Sequence, residues 1–135
     1  MKHESFAADA TLVQALEKRS QPVACGKGGT LFMQGEACNG LYILQSGEAA
    51  LVLSAPSGRA VFCLQAGPGS LLGLPAVVGR EPYSMTAMVK KGAEVSFVTR
   101  YDFEKLIKAD PQMYPGVLQV LAREVRSARL ALAET

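Results

Sequence analysis

Gly67-Pro68-Gly69-Ser70-Leu71-Leu72-Gly73-Leu74-Pro75-Ala76-Val77-Val78-Gly79 is an apolar stretch broken by glycine and proline. Its second half is unsuited to a sheet interior, because Pro75 has no amide to give a ladder and is at home in the first turn of a helix. The stretch therefore predicts a short helix at about Pro75 to Val78, followed by a strand from Ser84 to Val89. On either side the rhythm differs. Upstream, the apolar runs Thr30 to Met33, Gly40 to Leu44, Ala49 to Leu53 and Ala60 to Leu64 are divided by Gln34-Gly35-Glu36, Gln45-Ser46-Gly47 and Ala55-Pro56-Ser57-Gly58. Downstream, Glu94 to Val98 follows the turn Lys90-Lys91-Gly92. Short apolar runs separated by glycine-bearing turns have the spacing of an all-β sandwich or barrel, here with one helical turn embedded in it.

Helical periodicity returns at both ends. Asp9 or Thr11 can cap a helix through about Lys18, with Leu12, Ala15 and Leu16 on one face, and Pro22 ends it. After Val98, Thr99 or Tyr101 opens a helix from Tyr101 to Lys108, which Asp110-Pro111 stops. A last helix, roughly Met113 to Ala133, carries Leu118, Leu121, Val125, Ala128 and Leu132 at spacings of 3, 4, 3 and 4, a heptad seam. Such a face packs either on its own barrel or against the same helix of a second copy. The expected architecture is one domain over residues 1–135, mainly β, with a β-roll or jelly-roll core at about 22–112, a short N-terminal helix and a C-terminal dimerisation helix at about 113–133.

Composition narrows the function. The chain is 49% hydrophobic and 19% charged, and its net charge of +2 lacks the concentrated basic charge of a dedicated nucleic-acid surface. The single histidine, His3, removes most metal sites and most histidine-based acid-base catalysis. Cys25, Cys38 and Cys63 are odd in number with no C-x-x-C pair, and read as buried or half-buried cytosolic thiols. No signal-peptide run follows Met1, and no stretch reaches the roughly 18 apolar residues of a membrane span, so a cytoplasmic chain without membrane attachment is expected.

A helix, about eight short strands interrupted by a helical turn, and a long exit helix resemble the cyclic-nucleotide-binding domain of the Crp/Fnr regulators. Gly40-Leu41-Tyr42-Ile43-Leu44-Gln45-Ser46-Gly47-Glu48 is similar to that family's G-x-Y-x-I-x-x-G-x run, and Gly58-Arg59 to its hairpin turn. Gly67-Pro68-Gly69-Ser70-Leu71-Leu72-Gly73 resembles its G-x-G-x-x-x-G approach to the phosphate-binding cassette, and Asp102-Phe103 with Pro111 the opening of its C-terminal helical part. The likeness spans about Pro22 to Ala133. It implies a regulatory module whose effector sits in the cassette and acts on the exit helix, in a homodimer.

The cassette itself departs from the pattern. Where the family reads roughly F-G-E-L-A-L and then P-R-S-A-T, this chain has Leu72-Gly73-Leu74-Pro75-Ala76-Val77 and then Pro82-Tyr83-Ser84-Met85-Thr86. Leu74 stands where the resemblance places the ribose-binding glutamate, and Tyr83 where it places the phosphate-binding arginine. The ligand-binding residues this leaves are Gly73, Leu74, Pro75, Ala76, Tyr83, Ser84 and Thr86, a neutral site of backbone amides and hydroxyls. Glu81 could replace the lost acid or simply be solvated. On the exit helix the base-facing positions match Ala128 and Arg129; Arg129 either reaches into the pocket or shares a solvated face with Arg123 and Arg126. Leu74→Glu combined with Tyr83→Arg is expected to restore nucleotide binding. Cupins share this kind of β-roll, but their metal sites need several histidines and a carboxylate, and no serine-elbow or Walker motif is present. No catalytic residue, metal or cofactor is expected, cAMP being at most a weak ligand. The expected function is a non-enzymatic regulatory module that binds a small-molecule effector, or a cyclic nucleotide weakly, and signals through its last helix. The alternative is a ligand-free dimerisation or protein-interaction domain. No helix-turn-helix follows the exit helix, so no direct DNA contact is expected of this chain.

Overall fold

A computed structural model describes residues 6–134; the expectation placed on His3 lies outside them. Helix α1 (Ala10–Glu17) leads into β1 (Gln21–Val23), β2 (Gly29–Phe32), β3 (Gly40–Ser46), β4 (Ala49–Ser54), β5 (Ala60–Ala66) and β6 (Ser70–Leu72). Then come α2 (Leu74–Gly79), β7 (Thr86–Val89), β8 (Glu94–Thr99), α3 (Arg100–Ala109), a 3-10 turn (Pro111–Met113) and α4 (Tyr114–Ala133). The strands form two antiparallel four-stranded sheets, ordered β1-β8-β3-β6 and β2-β7-β4-β5, which face each other as a jelly roll. Register is set by burial: Leu44 pairs with Val95 in one sheet, and Leu51 with Leu64 and Ala87 in the other, all within the core. A slip of one residue would turn these side chains to water.

The helix boundaries follow from caps. Asp9, not Thr11, starts α1, its carboxylate accepting the Leu12 amide at 2.8 Å. Thr99 starts α3 by accepting the Asp102 amide at 3.1 Å, which moves that helix one residue earlier than Tyr101. The buried cluster also draws on both flanking helices, through Leu12 and Leu16 of α1 and Val117 and Val120 of α4. Two of the eight strands lie outside the apolar runs of the sequence reading. In β1, Pro22 lies on a sheet-edge strand paired only with β8, where a missing amide costs no ladder bond. In β6, three residues of the glycine-rich stretch pair with β3 before α2 begins. The strand expected from Ser84 starts instead at Thr86, Ser84 and Met85 forming a bend.

Candidate functional site

Strand β6 delivers the chain to Gly73, whose φ of +90° turns it into α2 without a side-chain cap. Glycine serves two needs there, since a Cβ would also lie 2.8 Å from the ring of Tyr83. From α2, Leu74, Ala76 and Val77 point into the core, Leu74 with no exposed surface. At the far end Arg80 pairs with Glu104 of α3 at 2.7 Å, and the chain returns through residues 81–85 to β7.

Tyr83 corrects the expected picture of a hydroxyl offered to a ligand. Its ring is buried and stacked on Phe32, with centroids 3.8 Å apart and planes within 15°. Its hydroxyl donates to the Gly40 carbonyl at 2.6 Å. Its backbone is held as well, the amide donating to the Glu36 carbonyl and the carbonyl accepting from Gly35. Burial, reinforced by the Cys38 side chain, pushes the phenol well above the ordinary tyrosine range, so it stays protonated. The close approach that Gly73 permits is thus to the protein's own ring. Leu74 likewise lines no open site, and a glutamate or arginine at these two positions would enter the core.

Between Gly73, Pro75, Ala76, Ser84 and Met85 there remains a cavity of about 20 Å³, lined also by Phe6, Phe32, Leu51, Tyr83 and Glu124. That volume holds about one water, against the several hundred Å³ of a typical ligand pocket. Of the expected ligand-binding residues, Gly73, Pro75, Ala76, Tyr83 and Ser84 meet here. Thr86 does not, its hydroxyl accepting the Gln34 amide at 3.0 Å. Glu81 is exposed. Arg129 lines an outer groove of α4 with Ala122, Val125, Arg126 and Leu130, and neither it nor the half-buried Ala128 lines the cassette cavity. The exit-helix residue that does is Glu124.

Glu124 has an oxygen, Oε2, shut off from solvent and without a hydrogen-bond partner. Burial raises its carboxyl from an ordinary value near 4.5 to about 8. Between those two values the folded chain holds a proton that the unfolded chain has released, so stability falls with rising pH, by about 1.4 kcal/mol per unit from this group. Glu124→Gln is therefore expected to flatten the pH profile of denaturant unfolding and to be more stable than wild type in alkaline solution. Parallel profiles for the two proteins would show that the carboxyl is already ionised at neutral pH.

Helix α4 carries two neighbouring stripes. Val117, Val120 and Ala131 are buried against the chain's own core. In the seam expected for pairing, Leu118, Val125 and Leu132 are 61%, 50% and 50% exposed, whereas Leu121 is partly buried on the core and Ala128 is intermediate. A separate apolar groove of about 290 Å³ runs between α2, α3 and α4, floored by Val77, Phe103, Ile107 and Val117. The thiols are uneven: Cys38 is buried, Cys25 half-buried with Sγ donating to the Ala93 carbonyl at 3.6 Å, and Cys63, contrary to expectation, exposed on β5. Among the described residues no helix is long and apolar enough to cross a membrane.

A two-sheet jelly roll with a helical turn after β6, a return loop into β7 and a long exit helix packed at that corner defines the chain as a β-roll module flanked by helices. The profile described as cyclic nucleotide-binding domain matches residues 22–110, and the chain belongs to that family. It is 30% identical over 122 residues to the CRP-like cAMP-activated global transcriptional regulator of Mycobacterium tuberculosis, covering 90% of this chain and 54% of that one. Against the cyclic AMP receptor protein of Thermus thermophilus it is 28% identical over 106 residues, 78% of this chain and 49% of the relative. The chain thus spans about half the length of these relatives. The crystal structure of the Thermus thermophilus catabolite activator protein superimposes with a TM-score of 0.77 at 26% identity, covering 93% of this chain and 59% of that one. Leu74 and Tyr83, the positions where the resemblance places the family's two charged anchors, are both uncharged.

Proposed function

We propose that this chain is a non-enzymatic, cytosolic regulatory module in which the cassette corner sets the state of α4 and α4 pairs two copies. Residues 1–135 act as one unit, and cyclic nucleotide binds only weakly. The observation that carries this reading is the double role of α4: Glu124 lines the cassette cavity from one side of the helix, and Leu118, Val125 and Leu132 stand exposed on another. Any ligand that enters the cassette must meet the helix whose other face exposes Leu118 and Val125. A ligand acts only by binding two arrangements of that helix unequally. The weak affinity for nucleotide follows from chemistry. A charge-assisted contact to phosphate contributes roughly 1.5–3 kcal/mol, and both charged anchors are replaced by side chains that fill the core.

Calorimetric titration of the full chain with cAMP is expected to give a dissociation constant in the high-micromolar range or weaker, each ~1.4 kcal/mol lost being tenfold. Submicromolar binding would overturn the reading. A second reading, a dimerisation module without any ligand, is favoured by the small volume of the cavity, about 20 Å³. It predicts no thermal stabilisation by cAMP, cGMP, cyclic dinucleotides or small acids, because only a ligand selective for the folded state raises the melting temperature.

A further inference from the structure

Residues 6–8 cross the cassette as a strap between β6 and α4. Ala7 bridges to Ser70, and the Ala8 amide donates to the Gly69 carbonyl at 3.0 Å. From α4, Arg123 donates through Nη1 to the Ala7 carbonyl at 2.7 Å. These contacts set Phe6 inward, 2% exposed, where its ring walls the cassette cavity. The corner thus already takes up a benzene-sized apolar group, delivered by a short segment held through a few hydrogen bonds. Burying such a ring is favourable in proportion to the apolar area removed from water, and a ligand of the same shape would replace that burial on displacing it.

What Phe6 does not supply is a partner for Glu124. A carboxyl oxygen such as Glu124 Oε2, shut off from solvent without a hydrogen bond, is costly, and natural cores leave few such atoms. Among the described residues, no lysine or arginine lines the cavity. Arg123, next to Glu124 on α4, is turned to the Ala7 carbonyl. From the return loop, Tyr83 is the other titratable lining group, and its hydroxyl is committed to Gly40. The linings from α2 and β4 are Pro75, Ala76 and Leu51, and Ser84 adds a neutral hydroxyl. Among the described residues the electrostatics of the corner are therefore the inverse of a phosphate site: an acid, no base and apolar walls.

We propose that the cassette is a gated site for a compact aromatic amine, with Phe6 as the plug that the ligand's ring displaces and Glu124 as the counter-ion of its ammonium group. The inference rests on reading the cassette as the sensing corner of the module, and it names the ligand class. Binding pairs the ligand's ammonium with the Glu124 carboxylate. Because that carboxyl is held protonated near neutrality, its proton leaves to solvent as the ion pair forms. Affinity then rises with pH up to the carboxyl's raised value.

The test is calorimetry of the full chain with 2-phenylethylamine at neutral pH, in two buffers of different ionisation enthalpy, with cAMP titrated alongside. Phe6→Ala is expected to bind the amine about tenfold or more tightly than wild type, releasing close to one proton, and adding Glu124→Gln should remove both the gain and the proton release. Arg123→Ala, which loosens the strap and leaves the core intact, should give a gain of about threefold. If Phe6→Ala does not fold, Arg123→Ala with and without Glu124→Gln decides by the same criteria. Amine affinity unchanged by freeing the strap, or unaffected by Glu124→Gln, overturns the proposal. Failure to bind amine together with weak cAMP binding sinks the ligand class alone, whereas tight cAMP binding sinks the reading of the cassette on which it rests.

Discussion

Tyr83→Arg will lower the unfolding free energy of this chain by about 4 kcal/mol and will not create a nucleotide site. The substitution restores the side-chain type that the family pattern places here, so a simple reading by alignment expects a gain of function. The surroundings say otherwise. Tyr83 is 4% exposed, stacked on Phe32 and bonded to Gly40. A guanidinium there loses the ring contact, leaves the Gly40 carbonyl without its donor and must find an anion in a corner where, among the described residues, the one lining carboxyl, Glu124, is on the far helix. Leu74→Glu alongside it adds a second charge at a position with no exposed surface. Tyr83→Phe is the control: it keeps the stack and forfeits one buried hydrogen bond, a loss of about 1–2 kcal/mol. Denaturant unfolding at neutral pH, with the slope checked for constancy, measures all three. Stability within about 1 kcal/mol of wild type for Tyr83→Arg, with new affinity for cAMP, would mean that the corner is open in solution.

The main strands and the cassette helix were legible because their signals are local: Gly35, Gly47, Gly58 and Gly92 mark turns, and Pro75 marks the first turn of α2. What escaped depended on partners remote in sequence. Strand β1 has three residues around a proline and exists because β8 offers it a ladder. The inward turn of Tyr83 depends on Phe32, about fifty positions earlier, and no period runs through Glu81-Pro82-Tyr83-Ser84 to reveal it. Glu124 was hidden for another reason. Among Arg123, Arg126 and Arg129 it looks like one more charge on a solvated face, yet Val117, Val120, Glu124 and Ala131 fall at spacings of 3, 4 and 7, a core-facing stripe with an acid in it. The heptad seam was read instead, and it lies on the neighbouring face. Both stripes are real, and the helix uses one for its own barrel.

The second stripe carries the larger functional consequence. Val125→Asp is expected to weaken self-association by about 100-fold or more while leaving the folded monomer within about 0.5 kcal/mol of wild type. Val125 is half exposed at the middle of the seam, seven residues from both Leu118 and Leu132, so in a two-fold helix pair it meets its own symmetry mate. Two aspartates there lose apolar burial and repel each other across a desolvated line, and like charges so placed cost several kcal/mol. In the monomer the same carboxylate lies in water, and valine and aspartate differ little in helix propensity. Leu121→Asp is the less clean probe, because Leu121 packs partly on the core and its loss destabilises the monomer as well. Sedimentation across a concentration series, paired with thermal unfolding of each variant, separates the two effects. A wild-type chain that stays monomeric throughout, or a Val125→Asp chain that associates as tightly as wild type, removes α4 as the pairing element. The apolar groove between α2, α3 and α4 would then be the surface left to account for the exposed Leu118.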